Sequence, residues 1–369
     1  MTTIQVEIQL IAAVTAVACA LPGVFLVLRR MAMMSDAISH TVLLGIVLGF
    51  FLTGDLASPV LVIGAALTGV LTVILVELLN RTRLVKEDAA IGLVFPVLFS
   101  IAVILISRYA GDVHLDTDAV LLGELAFAPF NRLILLDYDL GPVALFLMGG
   151  ILVINLAFIF LFYKELKLAT FDPGLAAALG FVPGILHYAL MGVVSITVVG
   201  AFEAVGSILV VALMIAPPMT AYLLTDNLAR MIVISALIGI SGAISGYWLA
   251  HWLDASIAGS MAASFGLIFF VVLLLAPKRG LLAGVQRRVR QRWEFARSLL
   301  VIHLLNHEGL PEAEQENNLE QLHEHLRWEP DFTNRIVSQA MQLGLVSRLD
   351  GHLALTENGR ASARQAIVR

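Results

Sequence analysis

Asp36 and His40 stand four residues apart in RRMAMMSDAISHTVLLG (residues 29–45), between an arginine pair and a long apolar run. On a helix, four residues turn the chain by about 400°, so both side chains leave one face roughly one turn apart. They can share one cation. A carboxylate with an imidazole suits a hard-to-borderline divalent ion such as Mn²⁺, Fe²⁺ or Zn²⁺, with further ligands drawn from another helix. The alternative is a cap, in which Ser35 or Asp36 closes a helix N-terminus and His40 is simply a satisfied polar residue. Other metal-capable side chains are few. Glu203 lies in GAFEAVG (residues 200–206), and His251 just before Trp252. His187 reads as a packing residue, Glu77 as the partner of nearby arginines. His114, in DVHLDTD with Asp112, Asp116 and Asp118, reads as part of a solvated acidic loop. His303 and His307, also four apart, make either an ordinary helix face or a metal-binding pair.

The elements that position these residues must be membrane helices. Of 369 residues, 59% are hydrophobic and 14% charged, and the mean hydropathy is +0.91, beyond the range of soluble domains. Apolar runs of span length recur at about residues 8–28, 36–53, 59–79, 89–107, 141–163, 185–216, 230–252 and 257–276. Inside such runs an ionisable side chain is costly and is a functional candidate by default. That raises the standing of Asp36, His40 and Glu203. The one cysteine, Cys19, excludes both disulfide stapling and a cysteine-based zinc cluster. The N-terminus lacks a basic region and a cleavage signal before its apolar run, so the first run is expected to stay as a helix.

Lysine and arginine orient the chain. Arg29, Arg30, Arg81, Arg83, Lys86, Lys164, Lys167, Arg230, Lys278 and Arg279 fall in alternate connections, with only Arg108 and Arg132 on the other side, which places the first group in the cytoplasm. For the sides to alternate, the segment 185–216 must enter and return, as two passes or as one pass plus a re-entrant helix. The interruption is expected at residues 200–206, a setting that suits a substrate group at Glu203 or a carboxylate bonded to freed backbone. In MIAPPMTAYLLTDNLARM (residues 214–231) two prolines are expected to stop a helix, and a short amphipathic helix to come after them as a docking handle.

Composition changes after Gly280. RRVRQR (residues 287–292) holds four arginines in six residues, and residues 293–369 have the polarity of a soluble domain. With the boundary set near Val285, the expected helices are 293–306, 319–326 and 330–343, then a hairpin turning at Asp350 and Gly351, then a helix capped by Thr356. Three helices, a hairpin and a closing helix make a winged helix-turn-helix. The expected fold is thus an all-α polytopic membrane protein of eight or nine transmembrane helices (residues 1–285) followed by a small cytoplasmic winged-helix domain (residues 286–369). No phosphate-cradling Gly-x-x-x-x-Gly-Lys loop occurs, so the chain does not hydrolyse ATP, and no His-Glu-x-x-His arrangement supports a metalloenzyme.

LRRMAMMSDAISHTVLLG, LKLATFDPGLAAALG (residues 166–180), VVGAFEAVGSILVVALMIAPPMTAYLLTD (residues 198–226) and LLLAPKRG (residues 273–280) together resemble the membrane permease subunits of bacterial ATP-binding cassette importers for manganese, zinc or iron. The resemblance implies that Asp36 and His40 belong to a metal pathway and that Pro217, Pro218, Thr220, Leu224 and Asp226 couple to the ATPase. His251 and Glu203 join the metal candidates. His251 rests on the looser match of GYWLAHWLD, and Glu203 stands where the family usually has an amide or a neutral residue; Pro is usual at Leu44. It also implies an inner-membrane location, an extracytoplasmic metal-binding protein, and a second permease, identical or not, within the bilayer. The metal is then cargo, with no permanent cofactor. The C-terminal stretch QLGLVSRLDGHLALTENGRASA (residues 342–363) resembles the winged-helix part of iron- and manganese-dependent repressors. From Trp293 onward, however, seven arginines and no lysine face eleven acidic residues, a net charge of −4, the wrong sign for a phosphate surface. A protein-binding or regulatory role is expected there, with Arg287, Arg288, Arg290 and Arg292 on anionic lipid. The competing function is a membrane-bound metal-responsive regulator acting through that domain.

Overall fold

The computed structural model describes residues 2–55, 58–109, 125–135, 138–311, 316–318, 321–349 and 352–368. The chain divides into two compact units, Met1–Gly280 and Leu281–Arg369.

The first unit contains α1 (Thr3–Leu28), α2 (Met33–Thr53), α3 (Pro59–Arg81), α4 (Glu87–Tyr109), strands β1 (Arg132–Leu135) and β2 (Tyr138–Pro142), α5 (Val143–Leu161), the short α6 (Tyr163–Phe171) and α7 (Pro173–Ala178), then α8 (Pro183–Val205), α9 (Ser207–Leu224), α10 (Leu228–Leu253) and α11 (Ile257–Leu275). Among the described residues nine of these helices, α1 to α5 and α8 to α11, are long and apolar enough to cross a membrane. Hydrocarbon offers no partner to a backbone amide, so each run must close its own hydrogen bonds as a helix. Side chains mark several starts: Thr2 and Gln5 form a capping box on α1, and Ser58, Asp172, Asn227 and Ser256 cap α3, α7, α10 and α11.

The segment at 185–216 is two helices, α8 and α9, separated at Gly206, whose φ of 78° only glycine adopts freely. They have 23 and 18 residues, about 34 and 27 Å at 1.5 Å per residue, so each is long enough for a full pass. The expectation of a stop at Pro217 and Pro218 is corrected. Both prolines are buried within α9, which runs on to Leu224, and no separate amphipathic helix follows. Pro218 deprives the Met214 carbonyl of its helical donor, and that carbonyl lies against Gly23 of α1. Tight packing lets the helix continue through the gap.

Other contacts hold the bundle together through backbone proximity and a few buried polar groups, as lipid demands. Gly45 of α2 and Gly64 of α3 meet backbone to backbone. Asn155 of α5 donates to the Ala18 carbonyl at 2.8 Å and to Thr197 Oγ1 at 3.0 Å, linking α5 to α1 and α8. At the end of the bundle away from the arginine-rich turns, β1 and β2 pair antiparallel, and Arg132 pairs with Asp139 and with Glu7 of α1 at 3.2 Å.

The second unit consists of α12 (Leu281–His307), α13 (Leu322–His325), α14 (Pro330–Gln342), strands β3 (Val346–Leu349) and β4 (His352–Leu355), and α15 (Glu357–Val368). It has its own core, with Leu300, Leu304, Leu322, Ile336 and Leu353 almost fully buried. The first helix starts at Leu281 rather than near Trp293, because the arginine run is itself helical and exposed. Asp350 and Gly351 lie outside the described residues, yet Leu349 pairs with His352 across them. Thr356 accepts from the Gly359 amide at 3.0 Å, the expected cap.

A Cβ built on Gly23 would overlap the Met214 carbonyl oxygen, whereas one on Gly92 meets nothing within 4 Å. Gly23→Ala is therefore expected to destabilise the detergent-solubilised protein by about 1–3 kcal/mol. Gly92→Ala serves as the neutral control in the same thermal melt.

Candidate functional site

Asp36 and His40 occupy the first turns of α2. The capping alternative does not survive: the N-cap is Ala32 with no side-chain bond, and the Ser35 hydroxyl donates to the Ala32 carbonyl instead of accepting from an amide. Asp36 Oδ1 and His40 Nε2 are 3.6 Å apart. A cation with bonds of about 2.0–2.2 Å holds two ligand atoms roughly 3 Å apart, so a small rotation would let both bind one ion. The His40 ring stacks on Phe95 of α4 with centroids 5.6 Å apart and meets the edge of Phe99 at 5.9 Å. Both polar side chains remain about one-third exposed, 34% for His40 and 32% for Asp36. One side of the pair is an aromatic wall. The other is open for water or further ligands.

Counting along α2, His40 lies seven residues from the first, about 10 Å of rise. The pair thus sits in the first third of the helix, towards the end of the bundle that carries Arg29 and Arg30. The structure does not bring Glu203 or His251 to it. Glu203 is exposed on the last turn of α8 before Gly206, and His251 is exposed near the end of α10, both at the opposite end of the bundle. His251 meets Trp248 edge-on at 5.8 Å and lines a cavity of about 340 Å³ with Tyr247 and Asp254. His114 lies outside the described residues.

Sequence reasoning missed a second polar network at the arginine-rich end. Arg29 donates to Thr170 Oγ1 of α6 at 3.1 Å and lies 3.5 Å from His187 Nδ1 of α8. His187 Nε2 in turn lies 3.8 Å from Glu77 of α3, which binds Arg81 at 2.7 Å. A cavity of about 240 Å³ opens here, lined by Met31, Met34, Glu77, Asn80 and His187. The Glu77–Arg81 pair, four residues apart, is the one the sequence announces; Arg29, Thr170 and His187 come to it from stretches distant in sequence.

At the same end Arg279, in the turn after α11, pairs with Asp226, donates to the Tyr222 carbonyl at 2.8 Å, and lies 4.2 Å above the Tyr222 ring. Lys278 adds a 3.4 Å contact to Asp226. Of the coupling candidates, Pro217, Pro218 and Thr220 are buried, while Leu224 and Asp226 are exposed.

A family model described as the ABC 3 transport family matches residues 2–276, almost the whole first unit. The chain belongs to that family. Among its relatives, the zinc transport system membrane protein TroD of Treponema pallidum is 48% identical over 361 residues, covering 98% of this chain and 98% of that protein. The manganese transport system membrane protein MntD of Bacillus subtilis is 48% identical over 280 residues, covering 76% of this chain and 95% of its own. Among solved structures, PsaBC from Streptococcus pneumoniae in complex with Fab matches with a TM-score of 0.63 and 29% identity, covering 75% of this chain and 94% of that one. The TroD match extends through the second unit of this family member. The family model stops just before it.

The axial separation of the candidates has a direct test, since Cys19 is the one cysteine and is fully buried. In oriented vesicles, Asp36→Cys is expected to react with a membrane-impermeant thiol reagent from the face carrying Arg29, and Glu203→Cys from the opposite face. Labelling of both from one side would contradict the placement.

Proposed function

We propose that this chain is the permease subunit of an ATP-binding cassette importer that moves manganese or zinc into the cytoplasm; iron fits the same ligand chemistry. The observation that carries the reading is a carboxylate and an imidazole converging within a membrane helix of an ABC 3 family member. The chain is a pore, and ATP is hydrolysed by a separate cytoplasmic ATPase subunit. An extracytoplasmic metal-binding protein delivers the cation at the end that carries His251, Glu203 and the β1–β2 hairpin. The cation passes inward by Asp36 and His40 as the transporter alternates between outward and inward states.

The arginine-rich end is the cytoplasmic one, so that the ATPase docks on the surface formed by Leu224 and Asp226 with Arg279 behind them. A second permease completes the pore. Asp36 and His40 keep exposed surface within a span, and lipid against them would be costly. Apposing a second subunit on that face removes the cost and supplies the ligands the pair lacks. The second unit, cytoplasmic and of the winged-helix class, acts in regulation or protein binding; its net acidity from Trp293 onward argues against a nucleic-acid partner. It also weighs against the competing reading of a membrane-bound regulator that binds DNA.

Uptake of radiolabelled manganese and zinc into cells expressing the complete importer tests the site. Asp36→Ala and His40→Ala are each expected to lower uptake at limiting metal by about tenfold or more, since ligand and ligand-orienting groups carry effects of that order. Wild-type uptake in both variants would remove the pair from the pathway. At the docking surface, Arg279→Gln leaves Asp226 with the longer Lys278 contact and removes the donor to the Tyr222 carbonyl. The expected result is reduced transport-coupled ATPase activity with normal insertion of the subunit, read in reconstituted vesicles.

A further inference from the structure

The second unit gathers four metal-capable side chains that the transport reading does not use. His303 and His307 lie on successive turns at the end of α12, with ring centroids 4.5 Å apart. Glu316 joins them, so that one ligand atom from each of the three lies within 4.8 Å of the others. His325, the last residue of α13, reaches the same carboxylate: its Nδ1 is 3.1 Å from Glu316 Oε2.

Their surroundings orient them as ligands. His307 Nδ1 lies 2.9 Å from the His303 carbonyl, so Nδ1 carries the proton and Nε2 keeps its lone pair. Residue 316 is held by the edge of β4: the Leu353 amide donates to the Asn317 carbonyl at 3.0 Å, and Asn318 bridges His352. His303 is largely buried, with 12% of its side chain exposed. Its Nε2 is 3.3 Å from the Glu316 carbonyl and 4.0 Å from Oε2, so closing on an ion means exchanging one backbone hydrogen bond for a metal bond. A tetrahedral site with bonds of about 2.0–2.2 Å separates its ligand atoms by roughly 3.3 Å. The ligand atoms of His303, His307 and Glu316, within 4.8 Å of one another, are about 1.5 Å from closing to it.

We infer that His303, His307, Glu316 and His325 form a binding site for a divalent first-row transition cation of the zinc class. Three imidazoles and one carboxylate suit Zn²⁺ or Co²⁺ better than Mg²⁺ or Ca²⁺, which take oxygen. A cation there would pin the end of α12 to α13 and to residue 316. The inference is independent of which ion crosses the membrane, since no residue of the first unit takes part.

The test is cobalt titration of the purified full-length protein in detergent, followed by visible absorption, because Co²⁺ absorbs strongly only in a low-symmetry, tetrahedral-like site. The Asp36→Ala/His40→Ala protein is expected to keep this band, saturating at a single equivalent and displaced by Zn²⁺ but not by Mg²⁺. The His303→Ala/His325→Ala protein is expected to lose it with unchanged far-ultraviolet circular dichroism. Should that double variant misfold, His307→Gln alone is expected to weaken cobalt binding about tenfold. Absence of the band in folded Asp36→Ala/His40→Ala protein, or its survival at full strength in the folded cluster variants, would overturn the site without touching the transport reading.

Discussion

The contact between Gly45 and Gly64 decides where the candidate metal ligands point. Lipid gives helices no hydrophobic reason to associate, so close backbone approach takes over that role. Along α2, Ile38 touches Gly69, Thr41 accepts from Thr72 at 2.8 Å, Gly45 meets Gly64, and Gly49 meets Leu61. These four residues recur at helical spacing and lie on the face that seats on α3. At roughly 100° per residue, Asp36 and His40 each fall about 200° from Ile38. They are thus turned to the opposite face, where α4 supplies Phe95 and Phe99. The proximity of Asp36 and His40 is legible in their spacing, but their direction is set by glycines five and nine residues beyond His40.

The same economy of backbone contact explains how the bundle tolerates two interruptions close together. Gly206 ends α8 by a positive φ, and the chain reverses at once into α9. Ten residues on, Pro217 and Pro218 each remove a helical amide, yet α9 neither stops nor separates. The difference lies in what surrounds each site. A chain at the end of a span can leave the membrane, whereas a buried one must stay helical and rely on its neighbour; Gly23 accommodates the carbonyl that Pro218 leaves without a donor. Charged groups collect at the ends for the related reason that water is near. Arg29, Glu77, Arg81 and His187 form one network there, and Asp226, Lys278 and Arg279 another.

Much of the fold was legible because the bilayer reduces the possibilities. Apolar length marked the candidate spans, the alternation of basic turns required the chain to enter and return between residues 164 and 230, and GAFEAVG marked the interruption. The proline pair misled because a helix-breaking tendency is a local property, and burial against α1 overrode it. In the second unit Thr356 announced its own cap, since cap chemistry is local too. Glu316 and His325 were invisible as ligands. Each sits in an acidic, polar stretch with no periodic relation to His303; the docking of residue 317 on β4 places Glu316, and the burial of Leu322 places His325.

The two metal-capable clusters differ in a way that fits opposite tasks. Asp36 and His40 supply two ligands, one of them anionic, on a face left a third open, so that an ion there keeps water or borrows ligands from another subunit. An ion with so few protein ligands would leave readily, as the proposed passage requires. His303, His307, Glu316 and His325 come from three segments, with His325 reaching the cluster through Glu316. Four protein ligands saturate a tetrahedral ion and leave no open position, the arrangement that retains a metal rather than passing it on. Ligand number, more than ligand type, therefore separates a site built for release from one built for retention.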